Sequence, residues 1–220
     1  MRFFKLKNNF NWKYIIGEVL LIFIGINLAI WFNNWNTSKK SMQDKEVIIA
    51  KIREEIENNK SELEFADKSY HLVTEAFSEY TKIYEGTSSR VLASPEEFNM
   101  LQKKYPGFFT HTDSTKTTDK KYLYLGGTHI ELELPVLNKI AWDTTKSINI
   151  TNEFDYECLY DLESMYNLQD RVLNEVNKAA EALQKGKMKE LMSVLRFLHQ
   201  LDLQLIDRYN DVLKNINSCR

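Results

Sequence analysis

The chain has 220 residues, and its 29 basic and 31 acidic side chains give a formal net charge of −2. This balance provides neither a basic surface for nucleic acid nor a broad attraction for an acidic substrate, so the sequence excludes both as dominant partners. Three prolines and seven glycines are few for this length, which favours long continuous helices.

The first elements in chain order are a basic tail, residues 1–13, and an apolar run, residues 14–32, which only Glu18 and Asn27 interrupt. At about 1.5 Å of rise per residue the run spans about 28 Å, close to the hydrocarbon core of a bilayer. No small-residue cleavage site follows it. The sequence therefore predicts an uncleaved transmembrane signal anchor over residues 14–36, with lipid as its partner.

Aromatic side chains mark both ends of this run, as is typical of rings at headgroup depth. They are Trp12 and Tyr14 on one side and Trp31, Phe32 and Trp35 on the other. Glu18 lies one turn inside the N-terminal edge, where its carboxylate either serves a proton or ion relay or reaches the headgroups. The second alternative is favoured, because the run contains no other charged residue.

Three residues of the run predict association with another helix. Asn27 is too deep to reach water, so its amide is expected to bond to a neighbouring helix. Gly25 and Ala29 form a small-xxx-small pair, which permits close approach of two helices, although the motif is common by chance.

Positive charge is nearly equal on the two flanks of the run. The first 13 residues contain four Lys or Arg, and Lys39, Lys40 and Lys45 follow the run. A short basic tail before a first span usually stays in the cytoplasm. We therefore expect a single-pass protein of the inner (plasma) membrane, with a cytoplasmic N-terminus and a periplasmic or otherwise extracytoplasmic domain.

Residues 42–86 predict one long coiled-coil-like helix. Apolar side chains recur at spacings of three and four from Ile49 to Tyr84, which is a heptad pattern over five repeats. Asn59 occupies its one polar position. Either Asn59 sets the register of an oligomeric coiled coil, or the apolar positions pack against later helices of the same chain. The polar residues 37–41 are a hinge or a continuation of the membrane helix.

Residues 87–135 predict a connection of mixed structure. The sequence Ser-Pro-Glu-Glu at 94–97 is typical of a helix start, so a short helix is expected up to about Lys104. Residues 110–120 are rich in Thr and Ser without apolar periodicity, which predicts a loop. Residues 122–134 alternate around a Gly-Gly pair, which predicts a small β-hairpin.

Residues 136–217 are expected to complete an antiparallel helical bundle. The pattern predicts a helix from Pro135 to about Ser147, a turn over residues 148–152, and two long helices separated by Gly186. Those helices are expected over residues 154–185 and up to about Ile216. The predicted fold class is all-α: a transmembrane helix, a coiled-coil-like helix and a helical bundle with a β-hairpin insertion.

The two cysteines, Cys158 and Cys219, are too few for a disulfide framework. They could pair if the domain is extracytoplasmic, but Cys219 is the penultimate residue. A structural thiol at Cys158 is the favoured interpretation.

No residue pattern points to an enzyme, a cofactor or a metal site. The four histidines have no metal-ligand spacing, and no phosphate-binding loop or nucleophile elbow is present. His111 and Asp113 could form a polar site, but a flexible loop is favoured. An enzyme with a site assembled from distant residues remains a minor alternative.

Aromatic residues are concentrated around the predicted connection and suggest either a core or a groove for a ligand. They are Tyr70, Phe77, Tyr80, Tyr84, Tyr105, Phe108, Phe109, Tyr122 and Tyr124.

A resemblance adds to this picture. Residues 16–18 (Ile-Gly-Glu), the apolar run with Gly25, and residues 33–36 (Asn-Asn-Trp-Asn) together resemble the N-terminus of an uncharacterised family of small bacterial single-pass membrane proteins. Residues 141–146 resemble a second signature of such proteins. The resemblance implies a membrane location and a helical architecture, and it implies no chemistry.

The expected function is therefore a membrane-anchored helical scaffold or interaction module that acts with a homo-oligomeric or other protein partner. The alternative is a ligand-binding sensor domain that signals through a partner protein.

Overall fold

The computed structural model describes residues 12–117, 120–148 and 150–219. Most of them are helical, and a small antiparallel sheet is inserted, so the predicted helical fold is confirmed in outline. The basic tail lies outside the described residues except for Trp12 and Lys13. The chain divides into two compact units, Met1–Ile48 and Ile49–Arg220, which are described separately below.

The helix α1 (Trp12–Thr81) is continuous over 70 residues. No glycine or proline occurs between Gly25 and Gly86, so nothing in the sequence breaks the helix at the predicted hinge, residues 37–41, which are helical. The helix ends at Thr81, earlier than predicted, because Tyr84 already pairs with Val91 in the sheet.

In the first unit α1 exposes its apolar side chains. No residue of α1 before Ile52 is buried, and Leu21 and Phe23 are 73% and 66% exposed. By length and composition, α1 is the one helix of the described chain that is long and apolar enough to cross a membrane.

The second unit is built from the rest of α1 and three further helices, α3 (Ile140–Ser147), α4 (Tyr156–Gln184) and α5 (Met188–Asn215). The predicted heptad positions of α1 are buried here, among them Ile52, Ile56 and Leu63. Hydrogen bonds join α1 to α4 and α5, so the apolar positions pack within the chain.

The turn between α4 and α5 depends on Gly186. Its φ of 66° lies in the left-handed region, which a residue without Cβ adopts at little cost. The Lys187 N–H donates to Ala182 O and the Gly186 N–H donates to Leu183 O, which is the Schellman pattern of a helix end. The predicted break at Gly186 is confirmed.

The sheet has the order β1-β2-β4-β3, with all neighbouring strands antiparallel. Its strands are β1 (Tyr84–Glu85), β2 (Thr87–Ala93), β3 (Phe109–Lys116) and β4 (Tyr122–Thr128). Between β2 and β3 lies α2 (Pro95–Lys104), which Ser94 caps by accepting the Glu97 N–H, as predicted.

Two sequence predictions for this region are wrong. Residues 110–116 belong to β3 instead of a loop, because their backbone pairs with β4 while their polar side chains remain exposed. The Gly-Gly pair at 126–127 lies inside β4 instead of forming a hairpin turn. A Cβ at Gly126 would collide with the backbone oxygen of Thr110, so close strand approach explains this glycine.

Residues 129–139 form neither helix nor strand, so α3 starts at Ile140 and later than predicted. The side chain of Asn59 explains the delay, because it bonds both the N–H and the C=O of Asn138. Those two groups are therefore satisfied outside a helix. The 3₁₀ turn Ile150–Glu153 then leads to α4, close to the predicted turn.

A disulfide joins Cys158 to Cys219, so the preferred structural thiol was wrong. The helices α4 and α5 have 29 and 28 residues and run antiparallel, and the end of α5 therefore returns to the start of α4. The 3₁₀ turn Ile216–Ser218 then carries Cys219 to a Cα–Cα distance of 5.4 Å from Cys158. A favourable pairing distance is therefore a product of tertiary structure.

Candidate functional site

The aromatic residues predicted for the membrane interface are all exposed on α1. Trp12, Tyr14, Trp31 and Trp35 each leave more than half of their surface uncovered. The Phe32 and Trp35 rings are 5.9 Å apart, and Lys39 Nζ lies 5.7 Å from the centre of the Trp35 ring. A ring with a cation beside it suits the boundary between lipid and water. Glu18 is exposed in the same segment.

The three residues predicted for helix association do not share one face. At about 100° per residue, Asn27 lies about 200° around the helix from Gly25 and from Ala29. Its amide donates to Phe23 O at 2.7 Å, within its own helix. A Cβ at Gly25 would meet nothing within 4 Å, so that face is open. A single partner helix can therefore use Gly25 and Ala29 or Asn27, but not all three.

In the second unit, Asn59 belongs to a fully bonded polar layer that we call the amide layer: Asn59, Asn138, Gln169 and Tyr209. Asn59 Nδ2 donates to Asn138 O at 2.6 Å and to Gln169 Oε1 at 3.2 Å. The Asn138 N–H donates to Asn59 Oδ1, and the Tyr209 hydroxyl donates to Gln169 Oε1, both at 2.8 Å. Asn59 and Gln169 are at most 1% exposed. Asn59 is thus occupied within its own chain, which corrects its predicted role in oligomer register.

Glu55, one turn earlier on α1, holds two other elements. Its Oε1 accepts the Tyr166 hydroxyl of α4 at 2.7 Å, and its Oε2 accepts the Ala141 N–H of α3 at 2.8 Å. Burial, and then the bond to Glu55, raise the pKa of Tyr166 well above its usual range. The hydroxyl therefore stays protonated and remains a donor.

A second polar layer has a different character. We call it the acid layer, and it comprises Asp67 and Tyr70 of α1 with His199 and Asp202 of α5. Asp67 Oδ1 and His199 Nδ1 are 2.7 Å apart. Asp202 is 0% exposed, and neither of its oxygens has a hydrogen-bond partner among the described residues. The buried Tyr70 hydroxyl also lacks one within that part of the chain.

The charges around Asp202 follow from this geometry. Burial, and secondly the nearby Asp67, raise the pKa of Asp202 to about 8. Burial, and then Asp202 and Asp67, raise the pKa of Tyr70 above its usual range. The Asp202 carboxyl is therefore mostly protonated below about pH 8, and the Tyr70 hydroxyl stays protonated at physiological pH.

Sequence reasoning missed Asp202, although the pattern contained a signal. The apolar positions of α5 recur at spacings of three and four, but seven residues separate Leu198 from Leu205. The missing position in this series is Asp202, which a helix places on the buried face.

The predicted aromatic cluster is largely a core, since Tyr80, Tyr105 and Phe109 are at most 1% exposed, and Phe98, at 3%, joins them. The Phe98 and Tyr124 rings stack with centroids 3.7 Å apart.

Beside this core lies a depression of about 300 Å³. Its lining includes the apolar Val73 and Ala76 and the rings of Tyr105 and Phe108. Glu131, Glu133 and His129 also line it, and His129 Nε2 lies 3.0 Å from Glu131 Oε1; none of the lining residues in the described chain is Lys or Arg.

His111 and Asp113, weighed as a polar site, are exposed in β3. The Asp113 carboxylate accepts the Ser114 N–H, and His111 lies edge-on to Phe98 at 5.3 Å between ring centroids. Within the described residues, no three His, Cys, Asp or Glu side chains are grouped so that they could hold a metal ion.

Comparison of the chain with protein-family models, with curated proteins and with solved structures finds no match. The resemblance of residues 14–36 and 141–146 to an uncharacterised membrane family therefore stays a prediction.

Proposed function

We propose that the chain is a membrane-anchored helical interaction module, without catalytic activity of its own, which presents its bundle outside the cytoplasm. It spans the inner (plasma) membrane once and acts with a protein partner or a second copy of itself.

The observation that carries this proposal is the exposed apolar surface of α1 in the first unit. Every large apolar side chain from Ile16 to Phe32 leaves at least 53% of its surface uncovered. A protein in water rarely exposes a continuous apolar surface of this extent. Lipid satisfies it, because the backbone of a helix is already hydrogen-bonded internally.

The disulfide supports the orientation. Bonds of this kind persist in oxidising compartments and are rare in the cytosol, so Cys158–Cys219 favours an extracytoplasmic bundle. The four basic residues among the first 13 favour a cytoplasmic N-terminus independently of the disulfide.

Topology is tested in intact cells. We expect protease added outside to cleave within residues 87–135, and maleimide to label Cys158 and Cys219 only after denaturation and reduction. Protection from protease together with free thiols in the cell would reverse the orientation.

Association is tested by cysteine cross-linking in membranes. The two native cysteines are paired with each other, so one added cysteine would be the free thiol of each variant. We expect Ala29→Cys, on the face of Gly25, to form a disulfide-linked dimer or a complex, and Leu20→Cys, on the face of Asn27, to stay uncoupled. Cross-linking of Leu20→Cys alone would assign the helix contact to the face of Asn27. If neither variant cross-links and an amine-reactive cross-linker captures no complex, the proposed interaction function is contradicted.

The depression beside the aromatic core supports a second candidate function, a ligand-binding sensor that signals through a partner. Rings together with a carboxylate that has no hydrogen-bond partner among the described residues, that of Glu133, suit an organic cation. We expect benzylamine to raise the melting temperature of the full chain more than benzyl alcohol, and Glu133→Gln to weaken this effect. Glu62→Gln, an exposed acid elsewhere on α1, is the matched control. Equal responses to both compounds would contradict a cation site.

A further inference from the structure

The acid layer contains a carboxyl group that the proposed interaction function does not use. Asp202 is 0% exposed, and among the described residues no donor reaches either oxygen. Removing a carboxylate from water without hydrogen bonds or a counter-charge is strongly unfavourable. The buried position therefore favours the neutral acid over the carboxylate.

Among the described residues, no basic group lowers the pKa of Asp202 and so offsets this cost. From α1 the groups that act electrostatically with Asp202 are Asp67 and Tyr70, and from α5 it is Tyr209. Glu133, from the segment before α3, acts on Tyr70 as well. The nearby bases are His199, with which Asp67 already pairs at 2.7 Å, and His71, whose ring centroid lies 5.7 Å from that of His199. Ionised Asp202 would thus face a second carboxylate across the contact between α1 and α5.

The amide layer, about two turns from the acid layer along α1 and α5 toward the end of the bundle that the disulfide closes, gives the opposite situation. There Asn59 and Gln169 have bonded side chains and carry no charge at any pH. The Cys158–Cys219 bond covalently joins α4 to the segment after α5 at that end, and Arg53 of α1 donates to Asn217 at 2.7 Å. A change of pH therefore acts first on the acid layer, while the disulfide holds the bundle closed beyond the amide layer.

We infer that Asp202 is a proton-dependent contact: the bundle closes α1 against α5 while this carboxyl holds its proton, and opens there when the proton leaves to solvent. Opening admits water to the carboxylate, to the Tyr70 hydroxyl and to the Asp67–His199 pair. The rest of the bundle stays folded. The device makes the surface around residues 67–70 and 199–205 depend on the pH outside the cell membrane.

The protonated carboxyl is measured directly by infrared spectroscopy of the full chain in lipid nanodiscs between pH 5 and pH 10. We expect a band of a buried, neutral carboxylic acid that disappears with a midpoint near pH 8, the pKa to which burial and Asp67 raise Asp202. Asp202→Asn removes this band, and Asp207→Asn, exposed on the same helix, retains it. Absence of any such band in the native chain at pH 6 would overturn the inference.

Opening is measured by hydrogen exchange at pH 9. We expect faster exchange in peptides covering residues 66–74 and 198–206 of the native chain and of Asp207→Asn than of Asp202→Asn, with equal exchange at residues 55–60. Comparison at one pH removes the intrinsic effect of pH on exchange. Identical exchange in all three proteins would exclude opening even if the carboxyl titrates.

Asp67→Asn keeps Asp202 in place and tests the mechanism without removing the titrating group. It removes the facing negative charge and releases His199, and both changes favour ionised Asp202. We expect the midpoint of the infrared band to move to lower pH. An unchanged or higher midpoint would show that Asp67 does not control Asp202.

Discussion

The amide layer and the acid layer are two polar interruptions of the same apolar bundle, and they differ in how their polar atoms are satisfied. Asn59 is 1% exposed and Asp202 is 0% exposed, so burial does not separate them. Asn59 exchanges hydrogen bonds with Asn138 and Gln169, whereas Asp202 has no partner among the described residues. Because its polar atoms have partners, the amide layer is stable at any pH. Because Asp202 has none in the described chain, the stability of the acid layer depends on protonation.

The largest expected effect concerns the disulfide, which closes the bundle at the end near the amide layer. Replacing both cysteines, Cys158→Ser with Cys219→Ser, restores the freedom of a chain segment with a sequence separation of 61 in the unfolded state. We expect a loss of about 4 kcal/mol in the free energy of unfolding. Urea unfolding of the full chain in detergent, followed by circular dichroism, measures it. Reductant should destabilise the native chain similarly and leave the double variant unchanged.

The next largest effect is expected from a substitution that disrupts the amide layer. Asn59→Ala leaves the Asn138 N–H without its buried acceptor and removes one of the two donors to Asn138 O and to Gln169 Oε1, so we expect a loss of about 3 kcal/mol. The same unfolding experiment measures it, with Asn58→Ala, an exposed neighbour on α1, as the control. Equal stability of the two variants would show that the layer contributes nothing, and the comparison between the layers would fail.

The two layers should also differ in how their contribution to stability depends on pH. The pKa of Asp202 is about 8 in the folded chain against 3.8 for an ordinary Asp, so between these values the folded state binds the additional proton. The contribution of Asp202 to stability is therefore complete below about pH 4, falls as the pH rises, and is lost above about pH 8. The slope is at most about 1.4 kcal/mol per pH unit.

Unfolding at several pH values between 5 and 9 measures this slope. Asp202→Asn should flatten the decline over this range, and Asp207→Asn should reproduce the native curve. Native and Asp202→Asn curves that run parallel would remove the acid layer as a source of pH dependence.

The smallest effect tests whether a partly buried acid with partners behaves like the amide layer. Glu55 accepts from Tyr166 and from Ala141, so Glu55→Gln replaces one acceptor by an NH₂ group that cannot accept either bond. We expect a loss of about 1 kcal/mol. The exposed Glu57→Gln is the control, and a double-mutant cycle with Tyr166→Phe isolates the lost bond. Zero coupling between the two sites would contradict a contribution from this contact.

Sequence patterns predicted the elements whose stability is local. The spacing of apolar residues predicted α1, α4 and α5, and the Ser94-Pro95 start predicted α2, because periodicity and capping act within a few residues. The sheet was predicted poorly for the same reason. Residues 110–116 have no apolar alternation, and they form a strand because β4 supplies the backbone partners. Gly126 suggested a turn, although its actual requirement is the approach of Thr110 from another strand.

The candidate sites also differ in whether local sequence was enough to predict them. The membrane segment and its exposed rings were identifiable from composition, because lipid contact needs only one apolar helix. The partners of Asn59 were not identifiable, since Asn138 and Gln169 are 79 and 110 residues away.

The sequence by itself determined that a segment apolar on all sides precedes a long helix, and that two further long helices follow, while it left open whether the first two are continuous. These properties depend on residue type and local spacing alone. Tertiary structure decided that Cys158 meets Cys219, that Asn59 is satisfied within the chain, and that Asp202 is buried without a donor. Each of these outcomes depends on which distant groups the packing of α1, α4 and α5 brings within a few ångströms, and a buried polar atom is stable or titratable according to those neighbours.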